Sequence, residues 1–195
     1  FAEELGATWY LDYGLSASVS PSISKLRAIM LEPDIHPISP ETLINMVEES
    51  PGGYYQIGNE PNVINVGANS PSGYADALNY YSSIMKSADP SAVFIGPNIL
   101  NFDFTCNGCE GYESGHSWLE SMRSIYIARY SEEPPIDIWG IHLYPIDWFF
   151  LPTVRASIIR DELEAFGTYV RSLGSGQRIW ITEFGLHWGF PEMIF

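Results

Sequence analysis

Tyr54 to Val63, YYQIGNEPNV, opens as a strand-like aromatic run and stops on Asn59, Glu60 and Pro61. Polar residues followed by proline commonly end a strand and begin a turn. A turn does not by itself require an amide beside a carboxylate. Whether Glu60 is punctuation or chemistry depends on how the other strands of the chain end.

Apolar, β-branched or aromatic runs recur at Ala7–Tyr13 (ATWYLDY), Leu26–Leu31 (LRAIML), Ala92–Gly96 (AVFIG), Ile136–Tyr144 (IDIWGIHLY) and Arg178–Phe184 (RIWITEF). With Tyr54–Asn59 they make six expected strands. Segments of helical period lie between them. In SPETLINMVEE, Ser39 is the expected cap, Pro40 takes the first helical position, and Leu43, Ile44 and Val47 share a face. Helical spacing returns in SPSGYADALNYYSSIMKSA, in SGHSWLESMRSIYIARY and in PTVRASIIRDELEAFGTYVRSL. Strand and helix in alternation predict a parallel sheet covered by helices, as a (β/α) barrel or a doubly wound sheet. Neither GxGxxG nor GxxxxGK[ST] occurs, which removes the main support for a nucleotide-binding version. Residues 1–195 read as a single domain.

A hydrophobic fraction of 46% against 17% charged residues describes a globular chain with a large core. The net charge of −15 argues against nucleic acid and anionic membrane as partners, since both need clustered Lys and Arg. A neutral substrate fits better. The 6 Trp, 12 Tyr and 10 Phe suit flat apolar ligands such as the faces of sugar rings. No run reaches the roughly 20 apolar residues of a membrane helix.

In parallel α/β architectures, function collects where strands end and the following loops begin. The third expected strand ends on Asn59 and Glu60, the fifth on His142 and Tyr144, and the sixth on Glu183, with His187 and Trp188 after it. By two-residue alternation, Ile138, Gly140, His142 and Tyr144 share one face, and Ile179, Ile181 and Glu183 another. A single strand-end His is more often structural, and a single Glu more often a cap or surface charge. The coincidence of two Glu, a His, a Tyr and an Asn on separate tips favours chemistry. Two carboxylates facing one cavity are what glycoside hydrolysis needs. One gives a proton to the leaving oxygen while the other attacks or activates water.

GNEPN and WITEFG, with IDIWGIHLYP between them, resemble the retaining glycoside hydrolases of clan A. With SGHSWLESM and TWYLDYG added, the chain looks most like family 128, the small-barrel endo-β-1,3-glucanases. The resemblance implies a TIM-type (β/α) barrel, with Glu60 as acid/base and Glu183 as nucleophile. It also implies that Asn59 binds the sugar 2-hydroxyl and that His142 and Tyr144 occupy the strand-six positions, where an aromatic hydroxyl commonly holds the nucleophile. The expected carboxyl separation is about 5–5.5 Å. Trp9, Tyr13, Trp148 and Trp188 are candidates for stacking on sugar rings. No cofactor or metal is expected, the partner is an oligo- or polysaccharide, and the location is secreted or extracellular.

A full barrel has eight strands, commonly over about 250 residues. Six are legible here, so the expected barrel is reduced or incomplete, with self-association one way to complete it. A catalytically inactive carbohydrate-binding barrel is the alternative function. Cys106 and Cys109 lie in the turn-rich FTCNGCEGYESGH and read as a structural loop pair. A zinc site there would need further ligands from His116, Asp103 or Glu110.

Overall fold

The computed structural model of the protein describes residues 4, 6–13, 23–31, 38–63, 70–103, 114–144, 156–174 and 176–185. In chain order the elements are β1 (Trp9–Asp12), β2 (Ser24–Ile29), α1 (Pro40–Glu48), β3 (Tyr54–Ile57), α2 (Pro71–Ala88), β4 (Val93–Leu100), α3 (Gly115–Tyr130), β5 (Ile138–Leu143), α4 (Ala156–Ser172) and β6 (Arg178–Phe184). The six strands form one parallel sheet in the order β1-β2-β3-β4-β5-β6. Between β2 and β6, each successive pair is joined through a helix.

Local signals account for the helix starts. Ser39, Ser70 and Ser114 each accept a backbone N–H from three residues on, and Pro40 and Pro71 open α1 and α2. The helices bury one face against the sheet. There Tyr55, Phe94, Trp118, Tyr126 and Phe166 are among the largest side chains fully removed from water. Burying each such side chain contributes about 1.5–3 kcal/mol.

The opposite face of the sheet packs on itself. Leu26, Ile95 and Ile138 form a small interior cluster with Leu11, Tyr54, Val93 and Trp180. Trp180, on β6, stacks on Trp9 of β1 at 5.5 Å and on Tyr54 of β3 at 5.3 Å. The two outer strands are thereby drawn toward each other, and the sheet curls into an open (β/α) barrel. No backbone pairing joins β6 to β1 among the described residues.

Two irregularities set what faces the interior. Along β4, Pro97 pairs with Gly140 and Ile99 with Ile141, so Asn98 is an extra residue. Along β6, Ile181 pairs with Ile141 and Glu183 with His142, so Thr182 is an extra residue. The second bulge corrects the expected face of β6. Ile179 packs with the helix-side core, Ile181 is exposed, and Trp180 belongs to the interior cluster. Glu183 therefore does not share a face with Ile179 and Ile181. The inserted Thr182 breaks the alternation and turns Glu183 inward beside His142. The proline in GPNIL also does not end β4 at Gly96, because the bulge absorbs it and the strand runs on to Leu100.

Candidate active site

Glu60 follows β3 with a left-handed backbone, φ 43°, a conformation that a non-glycine residue adopts at a cost. The surroundings hold it there. Gly58, φ 76°, makes the turn, and a Cβ on it would lie 2.9 Å from the Tyr74 ring, so only glycine fits. The Tyr74 hydroxyl donates to the Ile57 carbonyl at 2.7 Å. The Glu60 N–H donates to the Asn98 carbonyl at 3.0 Å. Asn62 completes the anchor, since its amide exchanges two hydrogen bonds with the backbone of Leu100, at 3.0 and 2.9 Å.

The Glu60 side chain is only 11% exposed and its Oε1 lies 2.9 Å from Nδ1 of His142, which is fully buried. His142 Nε2 is also buried, with no hydrogen-bond partner. An orphaned N–H is costlier than a bare lone pair, so the ring proton belongs on Nδ1, which donates to Glu60. From β6, Glu183 Oε2 lies 3.6 Å from the same Nδ1. One oxygen from each carboxylate and the His142 nitrogen fall within 4.8 Å of one another.

Glu183 is bracketed by two phenols. Tyr144 donates to Oε2 at 3.0 Å, and Tyr13 donates to Oε1 through a short contact. Burial, the bond to Glu183 and the two carboxylate charges push the Tyr144 hydroxyl up to about 12. Burial first, then Glu183, shifts Tyr13 upward as well. Both phenols thus remain donors through the neutral range. The single O–H of Tyr13 is shared with Oδ1 of Asn59, at 3.1 Å, and Gln56 Nε2 donates to the same oxygen at 3.4 Å. With its oxygen taken by protein donors, Asn59 has Nδ2 to offer a ligand.

The structure thus brings Asn59, Glu60, His142, Tyr144, Glu183 and Tyr13 together at the C-terminal end of the sheet. Tyr13 reaches the site through its hydroxyl. Trp9 begins β1, at the other end of the sheet, where it stacks on Trp180. Trp148, Trp188, His187, Cys106 and Cys109 lie outside the described residues. His116 stacks on Phe102 at 4.6 Å, and its Nδ1 is 3.5 Å from Asp103.

Asparagines that the strand-tip pattern did not single out hold the tips together. Besides Asn62, Asn101 exchanges two bonds with the backbone of Tyr144, at 2.9 and 3.0 Å, and thereby places the phenol that meets Glu183. The repeated Asn in PNILNF was the available signal. Glu60, His142 and Glu183 present a donor set that a divalent cation could use. Glu60 Oε1, His142 Nδ1 and both oxygens of Glu183 are already engaged with one another or with the two phenols.

No family model matches the chain, and no curated protein sequence matches it. Its structural neighbours include β-1,3-glucanases of glycoside hydrolase family 128. One is a curdlan-specific exo-β-1,3-glucanase from Blastomyces gilchristii in complex with glucose, at TM-score 0.66 and 16% identity, covering 91% of this chain and 66% of that one. A second is an endo-β-1,3-glucanase from Pseudomonas viridiflava, at TM-score 0.62 and 17% identity, covering 91% and 62%. A third is an endo-β-1,3-glucanase variant from Amycolatopsis mediterranei in complex with laminaripentaose, at TM-score 0.59 and 14% identity, covering 94% and 65%. The chain spans just under two thirds of the length of these neighbours. At such identities the likeness establishes the fold.

Proposed function

We propose that the chain carries the catalytic centre of a retaining glycoside hydrolase acting on a neutral β-glucan, with β-1,3-glucan the first candidate. The observation that carries the proposal is the pairing of Glu183, gripped by two phenols, with Glu60, backed by His142, within 4.8 Å. Retaining enzymes hold their carboxyl groups about 5–5.5 Å apart and inverting ones about 6.5–9.5 Å, and carboxylate oxygens within 4.8 Å of each other are compatible with the retaining spacing.

The two phenol O–H groups hold the oxygens of Glu183 in place, as suits a nucleophile that must be aimed. Its Oε1, held by the half-exposed Tyr13, is the oxygen that attacks the anomeric carbon, while Tyr144 retains Oε2. As that carbon–oxygen bond forms, the glycosidic bond breaks and Glu60 gives its proton to the departing oxygen. His142 holds Oε1 of Glu60, which leaves Oε2 to carry that proton. In the second half, Glu60 takes a proton from water. The resulting oxygen attacks the anomeric carbon and releases Glu183, with no cofactor. Asn59 Nδ2 is placed to bind a hydroxyl of the sugar being transferred. A polymeric substrate places the activity outside the cell.

Hydrolysis of laminarin, curdlan and mixed-linkage glucan by the wild type and by Glu183→Gln tests the proposal. Release of reducing sugar by the wild type alone is expected. Binding of laminarin with no turnover would instead mean a carbohydrate-binding barrel.

A further inference from the structure

The two bulges are one device. Asn98 and Thr182 are the extra residues on the strands either side of β5, and their side chains meet across it. Thr182 Oγ1 donates to Asn98 Oδ1 at 2.8 Å, with Asn98 fully buried and Thr182 8% exposed. The bond passes over Gly140 of β5. A Cβ there would stand 1.9 Å from Asn98 Oδ1 and 2.7 Å from its Cγ, closer than any side chain permits. Asn98 has φ 58°, so its carbonyl is turned out of the regular ladder, and it accepts the Glu60 N–H at 3.0 Å. Thr182 immediately precedes Glu183, and its insertion is what turns that carboxylate inward.

We infer that Asn98 and Thr182, bonded over Gly140, are positioning residues that set the separation of Glu60 and Glu183. Each carboxylate is held by a different irregular residue, and the side-chain bond between those residues fixes one irregularity against the other. Two isolated bulges would leave each acid free to drift with its own strand. Linked, they place both against a common reference on the floor of the site. Neither residue reaches the reacting atoms, so the effect is on geometry rather than on proton transfer. The inference rests on the proposed hydrolase reading.

Thr182→Val removes the donor at nearly constant volume, and Thr182→Ser keeps it. With laminarin, Thr182→Val is expected to lose about 10- to 100-fold in kcat with KM little changed, because displacement by a fraction of an ångström to one ångström is costly in a positioned site. Because the spacing of the two carboxylates sets how strongly each resists the other's ionisation, its pH profile of kcat/KM should shift, and Thr182→Ser should recover most of the rate. A Thr182→Val enzyme that turns over like the wild type, with only a lowered Tm, overturns the inference while leaving the hydrolase reading intact. A wild type inactive on every β-glucan overturns the hydrolase reading. In that case crystal structures of the wild type and Thr182→Val still decide the inference. A carboxylate separation that moves supports it, and one that stays fixed sinks it.

Discussion

The gap between β6 and β1 is spanned at both ends of the sheet, by different chemistry. At the N-terminal end, Trp180 stacks on Trp9 and Tyr54, a contact indifferent to proton positions and worth about 0.5–1.5 kcal/mol per ring pair beyond area burial. At the C-terminal end, Tyr13 of the β1 edge donates to Glu183 of β6 and to Asn59 beyond β3. That end also gathers Glu60 in a left-handed conformation, a buried His142 with an orphaned nitrogen, and two bulges. The lower seam holds the curl at little polar cost. The upper seam gives up stability to place charged groups, as functional sites commonly do.

Glu60→Gln breaks the contrast most sharply. It should lower turnover by about 10²- to 10⁴-fold, the usual contribution of a general acid/base, without lowering the melting temperature. Kinetics on laminarin beside calorimetry checks both halves. Trp180→Ala acts on the other seam. A stability loss of about 3 kcal/mol is expected in urea denaturation, since it removes a large ring and two stacked contacts.

Tyr144→Phe removes one hydrogen bond to a charged group, worth about 1.5–3 kcal/mol, so kcat should fall about 10- to 100-fold. Its effect on stability has a sign. The phenol is held above its ordinary value of 10.0, to about 12, so the unfolded chain loses this proton first as pH rises. The stabilisation is complete below pH 10 and is lost as pH climbs toward 12, which makes the advantage of wild type over Tyr144→Phe shrink across that window. Denaturation of both proteins at pH 8 and pH 11 measures it. The smallest effect is expected from chelation. Since Glu60 Oε1, His142 Nδ1 and both oxygens of Glu183 already have partners, EDTA should leave the rate unchanged, and a chelator-sensitive rate restored by one divalent cation would reassign the site.

Regular structure was the legible part of the chain. The caps at Ser39 and Pro40 could be read from local chemistry, and β6 spans the same Arg178–Phe184 that alternation and β-propensity marked out. The polar strand tips could be read too, because a parallel sheet collects its strand ends on one side. The bulges could not. One inserted residue leaves no trace in a two-residue period, and so alternation puts Ile179 and Ile181 on the inward face of Glu183, which they do not share. Asn98 and Asn101 were passed over for a related reason. An asparagine in an apolar strand has no local signature, and its value appears only when another strand supplies Thr182 or the backbone of Tyr144. Trp9 was equally ambiguous as a sugar platform until Trp180 proved to lie against it.

The central claim is that Glu183 attacks while Glu60 shares its cavity as acid/base. Incubating the wild type with a 2-deoxy-2-fluoro β-1,3-glucosyl fluoride, which forms the covalent intermediate faster than it can be hydrolysed, and mapping the adduct by peptide mass spectrometry tests it directly. A single glycosyl adduct on Glu183 is predicted. An adduct on Glu60, or hydrolysis of the fluoride with inversion and no adduct, would contradict it.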